Sequence, residues 1–280
     1  LLLGGQLFFA ILTDFKDVPS TVQQLEDDLA SNADILYFGD STLYRGDPSE
    51  TDPSTLPEIL QSLLPDRKVG GAYHDAYHLG LIEYFCRYAL DHENPPKTIT
   101  FPVNMHSFSL ERTSRPEYQF VKEKLFLSNP TPLFRAFYRP LAVFKAFDLE
   151  PVTQAEYDAL MTYDGEEALG TFAEIAQLPD AERLLMQVRA TYGYRISETH
   201  PQIQALDRIA AMCAEADVQL VVYATPMDVQ RGDALIGDIF STRMHAFLSL
   251  VEATLAKHQG SFLNLAFDFE QDTFAADKNG

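Results

Sequence analysis

Three short stretches carry residue types that could perform acyl transfer together. In "DILYFGDSTLYRGD" (34 to 47) an apolar run ends at Gly39-Asp40-Ser41 and gives way to a polar turn. A serine at such a turn can present its hydroxyl above a sheet while its backbone N–H points into the same space, which suits a nucleophile. The run "RKVGG" closes on Gly70-Gly71, and "TITFPVNMH" carries Asn104 directly after an apolar run. Acyl transfer needs donors aimed at a developing oxyanion. The N–H of Ser41, the N–H of Gly71 and the side-chain amide of Asn104 are candidates. Gly71 fits because backbone approaches a substrate closely only where no Cβ intervenes, and Asn104 because an amide donates without adding charge.

A nucleophilic serine also needs a base. His74 and His78 in "HDAYH" follow Gly71 closely, and His106 lies two residues after Asn104. Asp40, His74 and His106 are the candidates for substrate contact. "HDAYH" has the spacing of a His-Glu-x-x-His zinc helix, but Asp replaces Glu and no third ligand is apparent, so neither metal nor cofactor is expected. A haloacid-dehalogenase-type phosphatase would need Asp-x-Asp after the strand, and Phe38 stands at the first of those positions. The bland alternative is that Asp40, Ser41 and Thr42 only cap a turn.

The elements that would position these residues are five β-rich runs: 34 to 39, 67 to 71, 98 to 103, 219 to 225 and 261 to 266. Four are nearly continuous apolar stretches, as expected of parallel strands covered on both faces. Helical patterns separate the runs. The expected fold is therefore a three-layer, doubly wound α/β sheet of five parallel strands in the order 2-1-3-4-5, with the site beyond the carboxyl ends of the strands. Residues 107 to 196 lack a convincing strand and read as a helical insertion. Residues 111 to 147 carry seven basic against three acidic side chains. Within them, "TPLFRAFYRPLAVFKAF" (131 to 147) is a basic, aromatic, amphipathic helix that could lie on an anionic membrane surface or pack as a lid. With no linker or repeat, 16 to 280 reads as one domain.

The ordered set of "GDS", Gly71 and Asn104 resembles the SGNH, or GDSL-type, hydrolase family over residues 34 to 106 and 216 to 280. The resemblance implies a flavodoxin-like sheet with Ser41 as nucleophile and Ser41, Gly71 and Asn104 as the oxyanion hole. The third block reads "PVNMH" where the family has Gly-x-Asn-Asp, and the family's Asp-x-x-His after the last strand is absent: no His follows residue 258. The base is expected just past residue 280, with Asp277 the nearest carboxylate to orient it. The resemblance implies an esterase or O-acyltransferase of cell-surface carbohydrate esters, extracytoplasmic and membrane-anchored or secreted. The alternative is a noncatalytic surface protein that keeps the fold for carbohydrate binding or assembly.

Composition narrows the partners. The 280 residues carry 41 acidic and 21 basic side chains, a formal charge of -20. Such a surface repels phosphate backbones, so nucleic acid is not expected as a partner. Residues 1 to 13, "LLLGGQLFFAILT", are uncharged but shorter than the roughly 20 residues that span a bilayer. Residues 1 to 15 read as the end of a membrane anchor or signal segment, the alternative being a buried terminal segment. Cys86 and Cys213 fall on the apolar stripes of two helical patterns and are expected as core thiols.

Overall fold

A computed structural model describes residues 18–44, 52–109, 113, 118–128 and 177–269. Five strands form one all-parallel sheet: β1 (Ile35–Gly39), β2 (Val69–Tyr73), β3 (Thr98–Val103), β4 (Gln219–Ala224) and β5 (Ser261–Asn264), in the order β2-β1-β3-β4-β5. The register aligns Tyr37 with Gly71 and Thr100, and Thr100 with Val221. Helices flank the sheet in a three-layer, flavodoxin-like arrangement, as the run of apolar strands and helical patterns predicts. Four of the five strands begin within a residue of their expected starts. The second begins at Val69, two residues late, and ends at Tyr73, two residues beyond Gly71.

Helix α1 (Ser20–Ala30) precedes β1, α2 (Leu56–Leu63) joins β1 to β2, and α3 (Leu79–Leu90) joins β2 to β3. After β3 come α4 (Met105–Phe108), α5 (Val121–Ser128), α6 (Asp180–Tyr192) and α7 (Pro201–Glu215). Helices α8 (Val229–Ile236) and α9 (Ile239–Ala256) lie between β4 and β5. Right-handed crossovers place α3, α7 and α9 on one face of the sheet and α2 on the other. On the α3/α7/α9 face, Leu36, Phe38, Ile99, Phe101 and Val222 are fully buried with Phe85, Ile209 and Val251 in one core. Phe38 and Phe85 stack with ring centroids 5.5 Å apart.

Both cysteines lie in this core, on α3 and α7, and burial pushes the Cys86 thiol well up and the Cys213 thiol up to about 12. Across the same helix pair, Arg208 donates to both oxygens of Glu83 at 2.9 and 2.7 Å. Its fork fixes the helices in register.

The described part of 107 to 196 is helical or irregular, without a strand. The basic segment 131 to 147, the N-terminal residues 1 to 15 and Asp277 lie outside the described residues.

Candidate functional site

Strand β1 ends at Gly39, over which Leu43 and Pro102 close: a Cβ there would stand 2.7 Å from Leu43 Cδ1 and 3.1 Å from Pro102 Cδ. Asp40 then turns the chain. Its Oδ1 accepts from Thr42 N at 3.0 Å and Thr42 Oγ1 at 2.8 Å, capping a single 3-10 turn over Ser41–Leu43. Ser41 opens that turn, so its N–H has no partner within it. Its side chain is half-buried, and its hydroxyl has no hydrogen-bond partner among the described residues.

After β3 the chain makes a matching turn. Asn104 caps α4, its Oδ1 accepting from Ser107 N at 2.8 Å. Ser107 Oγ lies 2.8 Å from Asp40 Oδ2 and 3.0 Å from Asn104 Oδ1. One hydroxyl proton serves one acceptor at a time, and the carboxylate is the stronger. Ser107 thereby ties the loop bearing Ser41 to the loop bearing Asn104. It also settles the amide: with Oδ1 held by a backbone N–H, the Nδ2 protons are left for another acceptor, and none is recorded for them among the described residues. Asn104 and Asp40 are 7% and 5% exposed, so these bonds operate where water competes little.

Gly71 is not part of this constellation. It sits mid-strand opposite Tyr37, and its N–H donates 2.8 Å to the buried Oδ2 of Asp28 on α1. That N–H cannot also serve an oxyanion. Gly71 is glycine for another reason: at φ +153 a Cβ would fall 1.9 Å from Tyr37 O. Gly70 is equally constrained, since its Cβ would meet Asp28 Cγ at 2.3 Å. Burial raises the Asp28 pKa, partly offset by the bond from Gly71.

The Asp40 carboxylate is engaged on both oxygens inside the protein, so it positions the turn. His74 is an exposed residue at the carboxyl end of β2, its backbone N–H donating to Gly39 O at 3.3 Å. His106 lies on α4 with its ring 6.5 Å from Tyr192. His78 is buried at the N-cap position of α3, its Nε2–H donating to Tyr118 O at 3.0 Å. "HDAYH" is a loop turned by Ala76 at φ +64, so its histidines do not share a helical face as a zinc helix requires.

Two features escape a reading by motif alone. Ser107 is visible in the sequence only as the third residue after Asn104, the spacing of a cap and its N3 partner. His200 caps α7 beside Phe108: its Nδ1 accepts from Gln202 N at 3.2 Å, which places the proton on Nε2. That Nε2–H is buried without a partner among the described residues, and burial lowers the imidazole pKa to about 4. The ring is neutral at physiological pH.

The loops after β1 and β3 thus carry the Ser41 hydroxyl and N–H and the Asn104 amide, with no basic partner for the Ser41 hydroxyl recorded among the described residues. Comparison with protein-family models and with curated proteins gives no match.

Proposed function

We propose that the chain is a serine-dependent acyl-ester hydrolase or O-acyltransferase of the SGNH type. The observation that supports this most is the Asp40–Ser107–Asn104 link, which joins the loop of a strand-end serine to an amide whose Nδ2 protons have no acceptor recorded among the described residues. In this reading Ser41 Oγ attacks the ester carbonyl. The Ser41 N–H and Asn104 Nδ2 take the charge that develops on the carbonyl oxygen. The leaving alcohol departs with a proton, and water or a sugar hydroxyl then takes the acyl group from the serine. Asp40 and Ser107 are positioning residues, and the general base comes from outside the described residues, with Asp277 to orient it.

The acceptor-rich, acidic surface and the resemblance to GDSL-type enzymes support an acylated carbohydrate as substrate class. Ser41's lack of a partner supports the rival reading, a noncatalytic carbohydrate-binding surface protein. Hydrolysis of aryl acetates by the native polypeptide separates the two. Ser41→Ala should abolish turnover, and Asn104→Ala should lower kcat by about 10²- to 10³-fold, the usual effect of losing one oxyanion donor. Turnover that survives Ser41→Ala sinks the enzymatic reading.

A further inference from the structure

Strand β2 lies at an edge of the sheet, and its free edge floors a groove of about 520 Å³ between α1 and α2. The even-numbered residues of β2 and its flanks face β1: Lys68 O accepts from Ile35 N at 3.0 Å, and His74 N donates to Gly39 O at 3.3 Å. Val69 and Gly71 therefore turn both N–H and C=O to the groove. The two N–H groups are used, by Gln61 Oε1 at 2.9 Å and by Asp28 Oδ2 at 2.8 Å. No donor to the two carbonyls is recorded among the described residues, so the floor offers acceptors alone.

The walls carry the same bias. Asp28 on α1 and Glu58 on α2 both line the groove, and no Lys, Arg or His lines it. Each Asp28 oxygen takes one N–H, from Gln24 Nε2 at 3.1 Å and from Gly71, and a carboxylate has about four lone-pair sites, so half remain. Glu58 Oε2 accepts from Thr55 N at 2.7 Å, which holds its carboxyl below the usual range and therefore ionised. Burial raises the Asp28 pKa and Asp27 adds to that; a cation beside Asp28 would offset both. Lys68 acts on Asp28 only from outside the groove, its Nζ held on Ser31 O at 3.0 Å. At the carboxyl end of β2, Tyr73 adds an aromatic face, its ring 5.8 Å from that of Tyr44. Such a face suits a cation.

We propose that this groove binds an amino sugar: an ammonium group on a hydroxylated body, with Asp28 and Glu58 taking the charge and the Val69 and Gly71 carbonyls taking hydrogen bonds. The volume lies within the range of small-molecule sites, roughly 300 to 1,000 Å³. An anion is repelled by both walls, and an apolar ligand would strip water from two carboxylates with nothing in return. The inference rests on the groove and not on Ser41. Granting Ser41 as the nucleophile, Tyr44, three residues after it, sets the ligand at the rim of the candidate site.

Calorimetric titration of the native polypeptide at pH 6, where the amine is protonated, tests this with glucosamine, N-acetylglucosamine and glucose as probes. Glucosamine should bind at one site, at least about tenfold more tightly than either neutral sugar, and more weakly as salt rises from 0.05 to 0.5 M. Glu58→Gln keeps the cap on α2 and should weaken glucosamine about two- to five-fold, the range of an exposed ion pair. Asp28→Asn keeps an oxygen for the Gly71 N–H and should weaken it by at least about tenfold, as loss of a buried charge does. Should Asp28→Asn not fold, Glu58→Gln and the salt dependence decide. Absence of glucosamine binding overturns the proposal, as does an affinity unchanged in Glu58→Gln. Equal binding of glucose or N-acetylglucosamine assigns the groove to a neutral polyol and overturns it as well. Turnover of aryl acetates, which involves no sugar, reports on Ser41 separately.

Discussion

At the scale of single residues, the candidate site shows how one proton can organise two loops. Ser107 bonds Asp40 and thereby brings the Ser41 turn against the Asn104 cap. Asp40 and Asn104 were legible as strand-end residues. That Asp40 is consumed internally was not, because its partner is 67 residues away and no local pattern reports such a contact. His200 illustrates the same limit. Its burial depends on Phe108 and Tyr194, and its consequence is a pH dependence. An imidazole with a folded pKa near 4 against about 6.5 unfolded is bound by a proton in the unfolded state first. Stability should therefore fall as pH drops from 6.5 towards 4, by up to about 3 kcal/mol. His200→Asn keeps a capping oxygen for the Gln202 N–H but cannot titrate, so urea denaturation at a series of pH values should show a flatter profile between pH 7 and 4. An unchanged profile would assign the acid sensitivity elsewhere.

At the scale of elements, period and punctuation located all five strands, because continuous apolar runs bounded by turn residues have few alternatives. The boundary error at the second strand bears on the candidate site. Gly70-Gly71 reads as a turn, yet both residues are inside β2. They are glycines because the Asp28 side chain packs over Gly70 and because Gly71 swings its N–H outward to that carboxylate. β2 is an edge strand, and side chains from α1 and α2 occupy the outward N–H groups of Gly71 and Val69, which blocks pairing with another chain. Gly71→Ala would set a methyl group against Tyr37 O in a backbone conformation that L residues rarely adopt. We expect a loss of at least about 3 kcal/mol in urea denaturation, whereas a purely catalytic glycine would leave the midpoint in place and lower only turnover.

At the scale of the whole molecule, the sheet order and the carboxyl-edge location of the site followed from the strand and helix rhythm, since right-handed crossovers leave few topologies open. Less legible was the exposed face of α2. Its leucines have the spacing of a core-facing stripe, yet Pro57 is the one buried residue of the helix and Leu56, Ile59 and Leu63 are exposed.

The central claim is that Ser41 is an acyl acceptor held against the Asn104 amide. The most direct measurement is the intact mass and peptide map of the native polypeptide after incubation with an aryl fluorophosphonate. The account predicts one adduct, on the peptide that contains Ser41, lost in Ser41→Ala and slowed by Asn104→Ala. A chain that stays unlabelled, or one labelled equally after Ser41→Ala, would contradict it.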